Sequence, residues 1–479
     1  MYAPSFAFPR VEGAVAYRFT VIDDCHVRRE WKADNPTDSL SSVWESCSTG
    51  WMTVVCDGID EKGALVRHSS SRTFWKKAPF AQTNTLVTSR ACRETARRIY
   101  DYVLSMPSTR YLLAQGCPDP SYELNTYISK MFESLIRGMI HYADLDPSSA
   151  DEALKIARLA ADHLILKSEC AQSPLACFPL TYDGRGERGN GYVAEKYAGQ
   201  VMLIYPAHVA SAFVILWQRT GERKYLEQAE GIAETYLRLQ GVDGTWYLKL
   251  FLGDGTPVNP NRLNPIDNVI PLLERLHAVT GKKCYREAAD RAFSYVENGP
   301  LRDWNWEGQF EDIRPTEKYV NLTMHDAVAT AIYLGKRFPD EVGRREQIRD
   351  LVAFGEDQFV CWDIPYKNGR SNPPSDWYDK WFTPCALEQY DCYSPIDGSA
   401  AKMIRGFLTL YAIGDDVSLA KACALAATAI RVQAADGRMP TWWWRGHCDD
   451  DWADWMNCML AMAGALEELA EALEKKEER

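Results

Sequence analysis

The sequence predicts a mainly α chain, an (α/α)6 toroid of six helical hairpins preceded by a small all-β sandwich. Three observations carry this. Residues 1 to about 80 alternate with strand period, everything from about Cys92 runs with helical period, and the helical part repeats about every 60 to 75 residues.

The β part reads from Phe6–Pro9, Ala16–Val21 and Trp51–Val55, separated by turns such as Asp57-Gly58 and Glu61-Lys62-Gly63. It is expected to form a domain over residues 1–82, with the helical ring over 83–479. Apolar spacing then predicts helices at Arg93–Leu104, Tyr122–Ala143, Ala150–Leu166, Pro206–Arg219, Lys224–Leu239 and Ile266–Val279. Six more follow at Tyr285–Val296, Met324–Arg337, Glu341–Phe359, Asp397–Ala412, Val417–Ala434 and Asp454–Leu473. A short strand pair is expected at Trp246–Phe251.

The repeat is visible as Thr220-Gly221-Glu222-Arg223-Lys224-Tyr225 recurring as Thr280-Gly281-Lys282-Lys283-Cys284-Tyr285. Stacked hairpins of this kind close on themselves when six are present, which removes the need for end caps. Inner helices then share one mouth. Tyr205-Pro206-Ala207-His208, Asn264-Pro265-Ile266-Asp267 and Ser394-Pro395-Ile396-Asp397 open them alike, with His325-Asp326 and Asp454 as looser relatives. Proline at the first helical position and Asp in the first turn also cap helices, so capping and convergence on one site are both open.

The most chemical stretch is Trp304-Asn305-Trp306-Glu307-Gly308-Gln309-Phe310-Glu311-Asp312, three carboxylates among three aromatics. Ring faces suit the apolar face of a sugar, and carboxylates suit proton transfer to a glycosidic oxygen. Two long loops feed the same mouth. The first holds Arg185, Arg188, Glu195 and Lys196. The second, Trp362 to Asp397, holds Trp377, Trp381, Tyr390 and Tyr393. A GxGxxG at Gly184, Gly186 and Gly189 has no preceding strand and no βαβ unit, so a dinucleotide site is rejected.

Composition narrows the class. With 16 Trp and 24 Tyr among 479 residues, the aromatic excess fits a carbohydrate cleft. The net charge of −12 and the lack of a basic face argue against nucleic acid. No apolar run reaches membrane-spanning length, and Met1–Phe6 resembles no signal peptide. The 14 scattered Cys, without CxxC, fit a reducing compartment, so a cytoplasmic location is expected. No cofactor and no metal are expected, because no HExxH or HxxxH occurs. Asp450-Asp451-Trp452-Ala453-Asp454 spells DDxxD, but no second metal motif accompanies it.

Six hairpins, aromatic loops and a carboxylate-bearing mouth resemble the six-hairpin (α/α)6-barrel glycosidases. The segment 189–229, then Asn264-Pro265-Ile266-Asp267, then Trp304–Asp312, then Tyr319–Ala327 looks like glycoside hydrolase family 154, the β-glucuronidase type. More distantly the chain is similar to unsaturated glucuronyl hydrolases, and the β part resembles a fibronectin-type-III module. Asn321–Ala327 is also faintly like the inner-helix histidine motif of N-acylglucosamine 2-epimerases.

The resemblance implies an exo-acting hydrolase that removes a uronic acid, β-D-glucuronate above all, from an oligo- or polysaccharide. No nucleic acid or membrane partner is expected, and a homo-oligomer stays open. No family catalytic pair matches residue by residue, so roles follow from chemistry. Glu311 or Glu307 is expected as the acid, its pKa raised by neighbouring Trp and Phe, and Asp312 or Asp397 as the base. His208 and His325 would bind or shuttle protons. Arg188, Arg262 and Arg445 are candidates to clamp the uronate, with Glu195, Asp267 and Tyr390 beside them. Trp304, Trp306, Trp381 and Trp443 are expected to stack on sugar rings. Two alternatives remain: a lyase or epimerase using Tyr390, Tyr393 or His325 as base, and a non-catalytic glycan-binding toroid.

Overall fold

The computed structural model describes residues 3–81, 87–183, 196–311, 318–319, 321–363, 381–389, 394–444 and 454–478. In the N-terminal part, β1 (Ser5–Ala7) pairs with β4 (Thr37–Ser39). Beside them β2 (Ala16–Ile22), β3 (Arg28–Ala33), β5 (Gly50–Ile59) and β6 (Leu65–Lys76) form an antiparallel sheet in the order β3-β2-β5-β6. Alternation turns Phe19 and Val21 of β2 and Met52, Val54 and Cys56 of β5 inward, where they meet Phe8, Leu40 and Trp44. β3 and β6 carry little apolar signal, because as edge strands they are held by backbone pairing more than by burial.

The twelve expected helices are all present, with ends shifted by a few residues. They are α1 (Ser89–Ser105), α2 (Ile128–Leu145), α3 (Ala150–Leu166), α4 (Ile204–Thr220), α5 (Arg223–Leu239) and α6 (Val269–Thr280). The series continues with α7 (Lys283–Asn298), α8 (His325–Arg337), α9 (Val342–Phe359), α10 (Asp397–Ala412), α11 (Asp416–Val432) and α12 (Met456–Glu477). An extra short helix at Pro107–Gln115 follows α1. The strand expected at Trp246–Phe251 exists as β8 (Lys249–Phe251), but it pairs with β7 (Gln200–Met202), the stretch that leads into α4.

Even-numbered helices line the inside and odd-numbered ones pack around them, each hairpin pairing one of each. The difference is written in the residues. Outer α5 buries one stripe, Tyr225, Leu226, Ala229, Ile232, Ala233 and Tyr236, as an amphipathic surface helix must. Inner α4 is apolar on nearly every side, and Val209, Ala210, Ala212, Phe213 and Val214 are all fully buried. The repeated Thr-Gly turn joins the two kinds of helix. Gly221 and Gly281 adopt φ of 74° and 72°, the left-handed C-cap that a side chain would strain. The preceding Thr220 and Thr280 hydroxyls donate to Leu216 O and Leu276 O at 2.8 and 2.7 Å.

Ring closure is made by α1 packing on α12, the first helix against the last. Arg93 of α1 reaches both Glu467 (2.6 Å) and Glu474 (2.8 Å) of α12. The sheet module leans on this ring through Lys77 Nζ, 3.0 Å from Val360 O, and through Phe80 against Trp362, ring centres 4.8 Å apart. No described helix is long and apolar enough to cross a membrane.

Candidate functional site at the mouth of the ring

Because the inner helices all begin at one end, their first turns deliver side chains to one place. α2 brings Lys130 and Glu133, three residues apart and so on one face. α4 brings Tyr205 and His208, the turn before α6 brings Asp267, and α8 opens on His325-Asp326. α10 contributes Asp397, Ser399 and Lys402, and α12 contributes Asn457.

Several of these groups face an axial cavity of about 490 Å³, lined at its upper end by Glu133, His208, Asp267, Lys402 and Asn457. That is within the size range of small-ligand sites. Asp267 anchors the cluster. Lys402 Nζ lies 2.6 Å from its Oδ2, and His208 Nε2 donates to its backbone carbonyl at 2.9 Å. That bond fixes the Nε2–H tautomer of a neutral His208 and turns Nδ1 toward Glu133 Oε1, 3.9 Å away. Asp267 is 49% open to solvent although protein surrounds it on every side, which is how a concave site behaves.

The charge states differ sharply from group to group. Burial works against charge on Asp267, but the Lys402 ammonium, with His208 beyond it, holds the carboxyl below its ordinary value. Among the described residues Asp326 has no such cation in contact. Burial, and then the neighbouring Asp267 charge, push it up to about 7. His325 is pushed down to about 3 by burial and then by Lys402, so its ring is neutral, with Nε2 3.3 Å from Ser399 Oγ. Carboxyls in opposite protonation states beside a neutral imidazole are the parts of an acid/base site. Asp326 does not line the axial cavity; it lines a smaller side cavity of about 230 Å³, with Asn264, Glu307, Gln309 and Arg262.

Glu311 stands on the inner side of the mouth, but not as the expected acid. Its carboxylate accepts from Tyr205 OH and pairs with Lys130 at 2.8 Å, while Tyr182 OH (2.8 Å) and buried Lys249 donate to its carbonyl. Burial is outweighed by Lys130, so the pKa falls where the sequence reading has it rise. Glu307 keeps the expected direction, raised by burial. Asp397 is corrected as a base. It is fully buried, one oxygen accepts from Gly398 N–H at 2.8 Å, the other has no partner among the described residues, and burial pushes its pKa well up.

The expected stacking rings are corrected too. Trp306, Trp381 and Trp443 are 1%, 4% and 0% exposed and so offer no free face. Trp304 turns outward against Phe354 of α9, ring centres 6.1 Å apart. Arg262 is no clamp at the mouth, since it is tied to Asp243 and lies over the Tyr247 ring at 4.3 Å. Asp312, Arg188, Glu195, Tyr390 and Arg445 lie outside the described residues, as does DDxxD except Asp454, which binds Arg438 (3.2 Å) and Tyr102 (3.0 Å). Among the described residues no group of three or more His, Cys, Asp or Glu is placed to hold a metal ion.

Sequence reasoning missed Lys130, Glu133 and Lys402, and placed Asp326 at an inner-helix start without giving it a role. The signal was a polar stripe inside otherwise apolar inner helices: Lys130, Glu133 and Arg137 on α2, and Lys402 and Arg405 on α10.

No family model and no curated protein matches the chain. Solved structures do. A D-mannose isomerase matches at 14% identity over 83% of this chain and 100% of its own, with a TM-score of 0.53. The cellobiose 2-epimerase from Spirochaeta thermophila matches at 14% over 81% and 100%, with a TM-score of 0.52. A glycosyl hydrolase family 88 protein from Bacteroides vulgatus matches at 12% over 80% and 99%, with a TM-score of 0.49. At such identities the likeness establishes the α/α toroid and leaves the chemistry to the site.

Proposed function

We propose that the chain is an exo-acting glycoside hydrolase that removes a non-reducing-end uronic acid, β-D-glucuronate above all, from a glycan. The observation that carries this is the contrast between Asp267, held ionised by Lys402, and Asp326, which keeps its proton up to about 7. Asp326 would give its proton to the leaving glycosidic oxygen as the bond to the anomeric carbon breaks. Asp267 would take the proton of the water that adds to that carbon, or attack it directly. Lys130 and Lys402, with the inner-helix N-termini around them, favour a sugar bearing a carboxylate. The order of motifs resembling family 154 supports the same substrate class. The separate core of the strands supports a division near residue 82, with the part before it read as a fibronectin-type-III-like module.

A panel of aryl glycosides tests this. Release from the β-glucuronide, but not from the glucoside or galacturonide, is the expected result; no release from any of them would remove the hydrolase.

A second reading is favoured by one observation, the neutral ring of His325 near Lys402, with Nε2 3.3 Å from Ser399 Oγ. Such a ring would take the proton next to a uronate carboxylate, as epimerases and lyases require, once a bound carboxylate raised its pKa from about 3 toward neutrality. Deuterium entering the sugar from heavy water would mark epimerisation, and near-ultraviolet absorbance of the product would mark elimination.

A further inference from the structure

The axial cavity continues past the mouth cluster. Along α12 its wall runs from Asn457 to Glu471, roughly 21 Å at the helical rise. Asp267 at one end is 49% open to solvent, and Glu468 and Glu471 at the other are 52% and 59% open. Between them the wall is charged: Arg137 from α2, Arg405 from α10 and Glu467 from α12 all face the lumen, where a ring of packed helices would ordinarily be apolar. Glu467 is only 5% exposed and Arg93 pairs with it from the outer side. These charges are paired, Arg137 with Glu133 at 2.9 Å, Arg405 with Glu468 at 2.9 Å and Glu467 with Arg93 at 2.6 Å, and a polar lining around a lumen of this size suits water.

One side chain narrows the lower lumen. Arg405 extends from α10 to α12, its Nε 2.9 Å from Glu468 Oε1. It fits because residue 464 is glycine: a Cβ there would stand 2.6 Å from Arg405 Nη2. The guanidinium is thus a bar along the α10–α12 side of the lower lumen, which it narrows.

We propose that the axial cavity is a rear conduit bringing water and protons to the Asp267–His208 cluster, separate from the mouth by which a sugar enters. Only the use made of that water rests on the proposed hydrolase. The conduit itself rests on the lining, the two open ends and the Arg405 bar.

Access can be measured without turnover. Ala461, on the lumen wall above the bar, is replaced in Ala461→Cys and exposed to aminoethyl methanethiosulfonate, with labelling at that peptide read by mass against wild type to discount the native Cys458. The expected result is labelling of Ala461→Cys that slows at least about tenfold when Gly464→Leu fills the space at the bar. A second plug, Glu468→Trp on the half-exposed rim, replaces Gly464→Leu if that variant does not fold. No labelling of Ala461→Cys would show a closed interior, and labelling unaffected by either plug would show access from the mouth alone. Both results overturn the conduit, and neither bears on whether a glucuronide is cleaved.

Discussion

Lys402 Nζ stands 2.6 Å from Asp267 Oδ2, and the pair joins α10 to the turn before α6 across the intervening α8. It therefore spans the mouth of the ring rather than stitching neighbours. With Asp267 half open to solvent, the pair is worth about 1 kcal/mol or less to stability. Lys402→Met is expected to leave the melting temperature within a few degrees while Asp267 titrates at a higher pH. Both are read on one sample, by thermal unfolding and by carboxyl infrared difference spectra. A large drop in melting temperature would make the pair structural.

Asp326 and His325 pull stability in opposite directions with pH. The folded-state pKa of Asp326 is raised from an ordinary 3.8 to about 7, so the folded chain binds the extra proton and stability falls as pH rises through that window. His325 is lowered from 6.5 to about 3, so its contribution is present above 6.5 and is lost as pH falls toward 3. Denaturant midpoints should fall less steeply between pH of about 4 and 7 in Asp326→Asn. If Asp326 is the acid, the rate with an aryl glucuronide should also fall above pH of about 7, and Asp326→Asn should remove both that limb and most of the activity. An unchanged limb would move the proton elsewhere.

Glu311 predicts a stability effect first. Glu311→Gln keeps the shape but leaves the Lys130 ammonium, only 18% exposed, without its counter-charge. The expected cost is about 3–5 kcal/mol, against about 1 kcal/mol for Tyr205→Phe, which removes one hydrogen bond. Lys130→Met combined with Glu311→Gln should recover much of the loss. Equilibrium denaturation of the four proteins settles it, and equal costs for both singles would contradict the ion pair.

Trp306→Ala should act through packing. Removing a fully buried indole costs about 3–5 kcal/mol, with a small change in KM for whatever glycoside is turned over. A KM effect without loss of stability would return this ring to the cleft.

The fold was legible because its period is regular: apolar spacing marked twelve helices, and Thr-Gly turns marked where outer helices follow inner ones. The mouth was legible in outline, since proline before His208, Asp267 and Asp397 marks inner-helix starts. Which of those groups meets solvent was not, because that depends on rotation about each helix. Asp267 faces the cavity, whereas Asp397, in the same local pattern, is sealed. The tryptophans misled for a similar reason. Composition counts rings but cannot distinguish a wall from an interior, and Trp306 and Trp443 belong to the interior. Lys130 and Lys402 carried no motif, only the oddity of a cation in an apolar helix.

The contact of Arg93 with Glu474 spans 381 residues and bears on how the chain is made. An open solenoid can set each unit as it leaves the ribosome, but here α1 emerges first and its partner face on α12 emerges last. Cys92, Ile99 and Val103, fully buried in the finished ring, stay without that cover through nearly all of synthesis. Shortening the C-terminal helix should therefore cost yield out of proportion to the residues removed, because the earliest-made helix is the one left waiting.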